Sequence, residues 1–157
     1  MNMRWTTLTS LIALSVPCLA AAKEPPPPVK VFILAGQSNM QGQAVVDLTG
    51  KDYNQGKGTL AALFDDPAKL PLVKHLRAAD GSWGVRNDVW VRYQREGRPL
   101  LTGPLSVGYG AYEGRHHFGP ELQFGHVLGN ACEGQVLLIK TAWGGKSLYR
   151  DFRPPSA

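Results

Sequence analysis

Two short apolar runs constrain this chain more than any other feature. Val29-Lys30-Val31-Phe32-Ile33-Leu34-Ala35 and Gln135-Val136-Leu137-Leu138-Ile139-Lys140-Thr141-Ala142 are nearly continuous stretches rich in aliphatic and β-branched residues. Runs of this length without strict alternation read as strands buried on both faces of a parallel sheet. Ahead of the second run, Gly119 to Asn130 carries the marks of a helix. Pro120 stands near the first turn, Glu121 lies beside the positive end of the dipole, apolar positions recur three or four apart, and Gly129-Asn130 marks the exit. Strand, helix and strand in this order define an α/β fold with a parallel sheet, whose ligands gather at the carboxyl ends of the strands.

The intervening chain is less regular. Gln37 to Thr49 reads as turn and loop, and Asp66-Pro67 to Ala79 begins as a helix that Pro71 keeps short or broken. Asp88-Val89-Trp90-Val91-Arg92-Tyr93 alternates with period two and predicts a strand with one wet face. With the extended piece from Leu100 to Val107, it forms a hairpin on the sheet's periphery.

The first residues predict a different fate. Met1 to Ala22 has a basic start at Arg4, an apolar stretch from Leu8 to Ala20, and Ala20-Ala21-Ala22 as a small-residue cleavage site, the pattern of a secretory signal peptide. Its Thr, Ser and Pro residues leave it short of the roughly 20 strongly apolar residues of a spanning helix, so no stable membrane insertion is expected. Residues 23–28, with Pro25 to Pro28, form an extended spacer. The folded part is residues 29–157, in a secreted or periplasmic protein. Loss of Cys18 with the signal leaves Cys132 alone, so packing rather than a disulfide holds the domain. The net charge of +5 comes from scattered residues, without the basic run that tracks a phosphate backbone, which argues against nucleic-acid binding. Lys140 stands where a phosphate loop ending in Gly145-Lys146-Ser147 would need its first glycine, which argues against nucleotide binding.

Gly36-Gln37-Ser38-Asn39-Met40 follows the first strand directly, where an open α/β sheet places its active site. A serine on such a turn exposes its hydroxyl as a nucleophile and leaves its own N–H free for an oxyanion, although the same position suits an ordinary turn serine. Met40 replaces the second glycine of a G-x-S-x-G elbow, which disfavours the usual α/β-hydrolase.

The stretch Val31 to Gly42, with its core Gly36-Gln37-Ser38-Asn39-Met40-Gln41-Gly42, resembles the first block of the sialate O-acetylesterase-like (SASA) family. These are SGNH-type carbohydrate esterases that include acetylxylan esterases. Phe118-Gly119-Pro120-Glu121-Leu122 resembles the family's Gly-Pro-Glu helix start, and Ile139 to Gly145 resembles its second block. The resemblance implies a three-layer α/β/α, flavodoxin-like fold and an acetylated carbohydrate substrate, with neither metal nor cofactor. It assigns the nucleophile to Ser38, oxyanion donors to the N–H groups of Ser38 and of Gly144 or Gly145, and turn support to Gln37 and Asn39.

The pattern departs from the family at one point. A serine esterase needs a base and a group that orients it. The family's Asp-x-x-His block and the Trp-x-Gln-Gly-Glu-like block before it have no counterpart here. His75, His116, His117 and His126 are the available histidines; His116 and His117 border the Gly-Pro-Glu turn, and His126 lies within the helix. The expectation is therefore the N-terminal part of a C-terminally truncated esterase domain, with little activity alone and a C-terminal complementing segment as its possible partner. The rival expectations are a carbohydrate-binding protein without catalysis and an inactive remnant on the same scaffold.

Overall fold

The computed structural model describes residues 25–154 and 156. The expected signal peptide, residues 1–22, lies outside the described residues. Four strands form the main sheet: β1 (Lys30–Gly36), β3 (Arg86–Tyr93), β4 (Leu101–Leu105) and β6 (Val136–Ala142), in the order β1-β6-β3-β4. β6 runs parallel to β1 from Lys30↔Val136 to Gly36↔Ala142, and parallel to β3 from Val89↔Val136 to Tyr93↔Lys140. β4 closes the antiparallel hairpin expected with β3, with a bulge between Arg86 and Trp90. This mostly parallel sheet with its helices establishes the α/β class.

The helix α3 (Glu121–Ala131) joins the peripheral hairpin to β6 and covers one sheet face. It approaches closely because Gly125 has no side chain: a Cβ there would meet Leu105 at 2.5 Å and Leu138 at 3.1 Å. Beneath it lies a core of Leu34, Val89, Val91, Tyr93, Leu105, Val136 and Leu138. A second core of Val46, Leu60, Val73, Leu76, Val107 and Leu122 lies under the irregular middle of the chain. There the expected helix is the single turn α2 (Leu70–Val73), with Pro71 in its first turn and a short 3₁₀ segment after it. A proline fits the first turn, where its missing N–H has no intrahelical acceptor.

One expectation needs correction. β1 is buried on one face only: Leu34 is buried, whereas Val31 and Ile33 are 52% and 70% exposed. β1 is an edge strand, and among the described residues helical cover lies on the α3 face, so the outward side chains of β1 stay largely exposed. β6, flanked by strands on both sides, alternates instead, with Val136, Leu138, Lys140 and Ala142 buried.

Two elements appear inside the expected loop from Gln37 to Thr49. α1 (Ser38–Gln41) is a single helical turn, and β2 (Ala44–Val45) pairs antiparallel with β5 (His117–Phe118). This small pairing brings the segment after Ser38 against the segment before the Gly-Pro-Glu turn.

Candidate active site

Parallel pairing of β1 with β6 puts their carboxyl ends side by side, and the chain turns there twice. β1 leads through Gly36 and Gln37 into α1, and the carbonyl of Gln37 accepts the N–H of Gln41 at 2.7 Å. Gly36 is required by close approach, since a Cβ there would stand 2.8 Å from the Cβ of Met40. As the first residue of the turn, Ser38 has an N–H without an intrahelical acceptor. β6 leads into Trp143, whose N–H donates to Gly36 O at 3.2 Å and binds the two turns together.

The structure thereby brings Gly144 near Ser38. A Cβ on Gly144 would lie 3.8 Å from the Cβ of Ser38 and 2.8 Å from Gln41 Oε1. The Gly144 N–H faces the same place and donates to Gln41 Oε1 at 3.0 Å. Gly145, one residue on, has φ +73 with open space around it, so its glycine serves the turn. Gln37 supports the turn through its backbone carbonyl, and its side chain makes no capping bond. Gln37 and Asn39 both expose their side chains. A cavity of about 260 Å³ opens beside Gln41, Trp143 and Gly144, and another of about 580 Å³ beside Gly36, Gln37 and Phe152.

Sequence reasoning missed what fastens α1 from below. The fully buried Lys140 ammonium donates to Gln41 O at 2.8 Å, to Tyr109 O at 2.6 Å and to Glu121 Oε2 at 2.6 Å. Glu121 Oε1 accepts the N–H of Gly119 at 2.8 Å. Burial pushes Glu121 up and Lys140 down, and each partner's charge opposes that shift. Next to it, Gly42 at φ +88 touches the Gly-Pro-Glu turn so closely that a Cβ would come within 2.2 Å of Gly119 Cα. Position could have pointed to Lys140: it falls on the inward face of β6, where a charge demands a partner.

The histidines are held elsewhere. His116 Nδ1 bonds Asp47 Oδ1 at 2.7 Å. His117 is buried edge-on against Tyr112 at 4.8 Å between ring centroids, and burial, helped by His116, lowers its pKa. His75 bonds Gln123 at 2.9 Å and lies edge-on to His126, whose backbone carbonyl accepts from Arg86 at the amino end of β3. Among the described residues no hydrogen bond joins the Ser38 hydroxyl to a histidine. Nor does any group of three or more His, Cys, Asp or Glu among them form a metal-binding cluster.

A serine on the turn after a parallel edge strand, with a glycine turn delivered near it by the neighbouring strand, is the placement that serine acyl-hydrolase chemistry would use. The comparison with known families agrees: the family model described as carbohydrate esterase, sialic acid-specific acetylesterase (SASA) matches residues 28–156. The chain belongs to that SGNH-type carbohydrate esterase family. No curated protein and no solved structure matches it.

Proposed function

We propose that this chain carries the nucleophile and oxyanion half of an esterase that removes O-acetyl groups from carbohydrates. The observation that carries the reading is the placement of Ser38 and Gly144 close together at the carboxyl ends of the parallel strands β1 and β6. Ser38 Oγ attacks the acetyl carbonyl, and the N–H groups of Ser38 and Gly144 hold the oxygen as it becomes negative. Collapse of the tetrahedral adduct expels the sugar hydroxyl, and water then releases acetate and regenerates Ser38.

The attack needs a base, and among the described residues no histidine is hydrogen-bonded to Ser38. We therefore assign proton removal to a group supplied from outside the described residues, such as a complementing segment bearing an Asp-x-x-His block. Free imidazole is the direct substitute. Acetate release from an O-acetylated sugar should be slow for the chain alone and should accelerate with added imidazole, and the acceleration should vanish in Ser38→Ala. Equal acceleration in wild type and Ser38→Ala overturns the assignment of the nucleophile. Rapid hydrolysis without imidazole places the base within the chain.

The bond from Gly144 to Gln41 Oε1 favours one rival, a protein that binds carbohydrate without turning it over, because it occupies the donor an oxyanion would use. Glycan binding without acetate release in the presence of imidazole, unchanged by Ser38→Ala, would support it. Among the described residues no helix is long and apolar enough to cross a membrane. We assign residues 1–22 to an export signal cleaved after Ala22, so amino-terminal sequencing of the exported protein should begin at Lys23.

A further inference from the structure

We infer that this site takes acyl groups longer than acetyl, seating a linear alkyl chain in the cavity beside Gln37. The inference rests on the esterase reading for Ser38 as the acceptor of the acyl group; the alkyl contact stands on the cavity itself. Two cavities flank the turns at the carboxyl ends of β1 and β6, and their linings differ in kind. The one at Gln41 and Gly144 is bordered by Arg95, Glu96 and Glu113, which suits the hydroxyl-bearing half of an ester. The other, of about 580 Å³, is bordered by Ala35, Leu148 and Phe152, with Gly36 and Gln37 on the side of Ser38. Consecutive Cα atoms stand about 3.8 Å apart, so the cavity begins one to two such steps from Ser38; an acetyl group ends within the first, and a chain of roughly four carbons or more enters.

The fold explains this lining. Alternate residues of a strand share a face, so Ala35 continues the exposed apolar row of Val31 and Ile33 on β1. After β6 the chain turns at Gly145 and brings Lys146, Leu148 and Phe152 beside the end of β1. Phe152 is held there by stacking on Trp143, with ring centroids 5.3 Å apart and planes 11° from parallel. The Trp143 indole N–H is itself fixed on Gln94 O at 2.9 Å. Asp151 accepts the N–H of Ser147 at 2.8 Å and closes the turn that carries Leu148. Lys146 is the charged side chain of this lining among the described residues, and Glu96 pairs its ammonium at 2.9 Å, so its aliphatic stem can border an alkyl chain. Leu148 is 83% exposed, which leaves apolar surface at the cavity that a bound chain would cover.

The test is a chain-length series on the full chain with 4-nitrophenyl acetate, butyrate and hexanoate, imidazole serving as the base and rates taken relative to Ser38→Ala. Ser38 Oγ gives its proton to imidazole and takes the acyl group, 4-nitrophenolate leaves, and water then releases the carboxylic acid. Ser38-dependent kcat/KM should rise roughly threefold per methylene from acetate to hexanoate. Leu148→Asp changes an exposed residue and so should fold, and it should lower the ratio of hexanoate to acetate rates about tenfold or more. A second arm needs no reaction: titrated into Ser38→Ala, 2-octanone should bind at least about tenfold more tightly than 2-butanone, and adding Leu148→Asp should remove that preference. Equal binding of the two ketones overturns the proposal, as does a flat profile of measurable Ser38-dependent rates. A preference for 2-octanone without any Ser38-dependent rate supports the alkyl site and overturns the esterase reading, so the two fail separately.

Discussion

The backbone N–H of Gly144 donates to the side-chain oxygen of Gln41 at 3.0 Å, joining the two turns that the parallel strands deliver to one sheet edge. An amide oxygen thus stands where the reading above puts a developing oxyanion. Reaction then requires Gln41 Oε1 to leave. Gln41→Ala should free the donor and raise Ser38-dependent, imidazole-assisted acetate release several-fold. Gln41→Glu should lower it at least about tenfold, because a carboxylate there repels the negative oxygen. The main-chain bond from Lys140 to Gln41 O is available to both variants, so thermal midpoints near the wild type would separate the chemical effect from unfolding.

The glycines of this edge should separate by role. Gly42→Ala forces a Cβ to within 2.2 Å of Gly119 Cα at φ +88, and unfolding in urea should show a loss of about 3–5 kcal/mol. Gly145→Ala adds only left-handed strain in open space and should cost about 1–2 kcal/mol. Gly144→Ala meets the movable end of Gln41 and should cost less than about 1 kcal/mol, yet slow Ser38-dependent acetate release on the order of tenfold.

Lys140→Met leaves Glu121 in the core without its cation, and Gln41 O and Tyr109 O without their donor. Urea unfolding should show a loss of about 3–5 kcal/mol. The double variant Lys140→Met with Glu121→Leu should lose less than the two single losses added together, since it removes both charges at once. Strict additivity would mean that the pair is not coupled.

Burial, with His75 and Arg86 adding to it and Asp88 opposing, lowers the pKa of His126 from 6.5 to about 4. The unfolded chain therefore takes up a proton at this site before the folded one does. The contribution to stability is present above pH 6.5 and is lost as the pH falls from 6.5 toward 4. The thermal midpoint should drop over that window, and His126→Leu should flatten the drop.

How far the sequence reveals this fold depends on which forces were local. β1, β6, α3 and the β3–β4 hairpin follow from apolar runs, alternation and turn residues, and their boundaries agree to within two residues. The exposure of Val31 and Ile33 does not follow, because an apolar run does not say whether its strand lies at an edge. Ser38 and the Gly144-Gly145 pair stand out in the sequence as family motifs, each following an apolar strand. Gln41, Lys140 and Glu121 were not, since their contacts join residues 19, 99 and 103 positions apart and arise only when the strands pair in register.

The most direct measurement is covalent capture of Ser38 by a fluorophosphonate, followed by intact mass and peptide mapping across pH 6–10. A single adduct on Ser38 is expected, absent in Ser38→Ala, with a rate that climbs steadily with pH because hydroxide takes the serine proton. No adduct, or an adduct elsewhere that persists in Ser38→Ala, would contradict the assignment of Ser38 as the nucleophile.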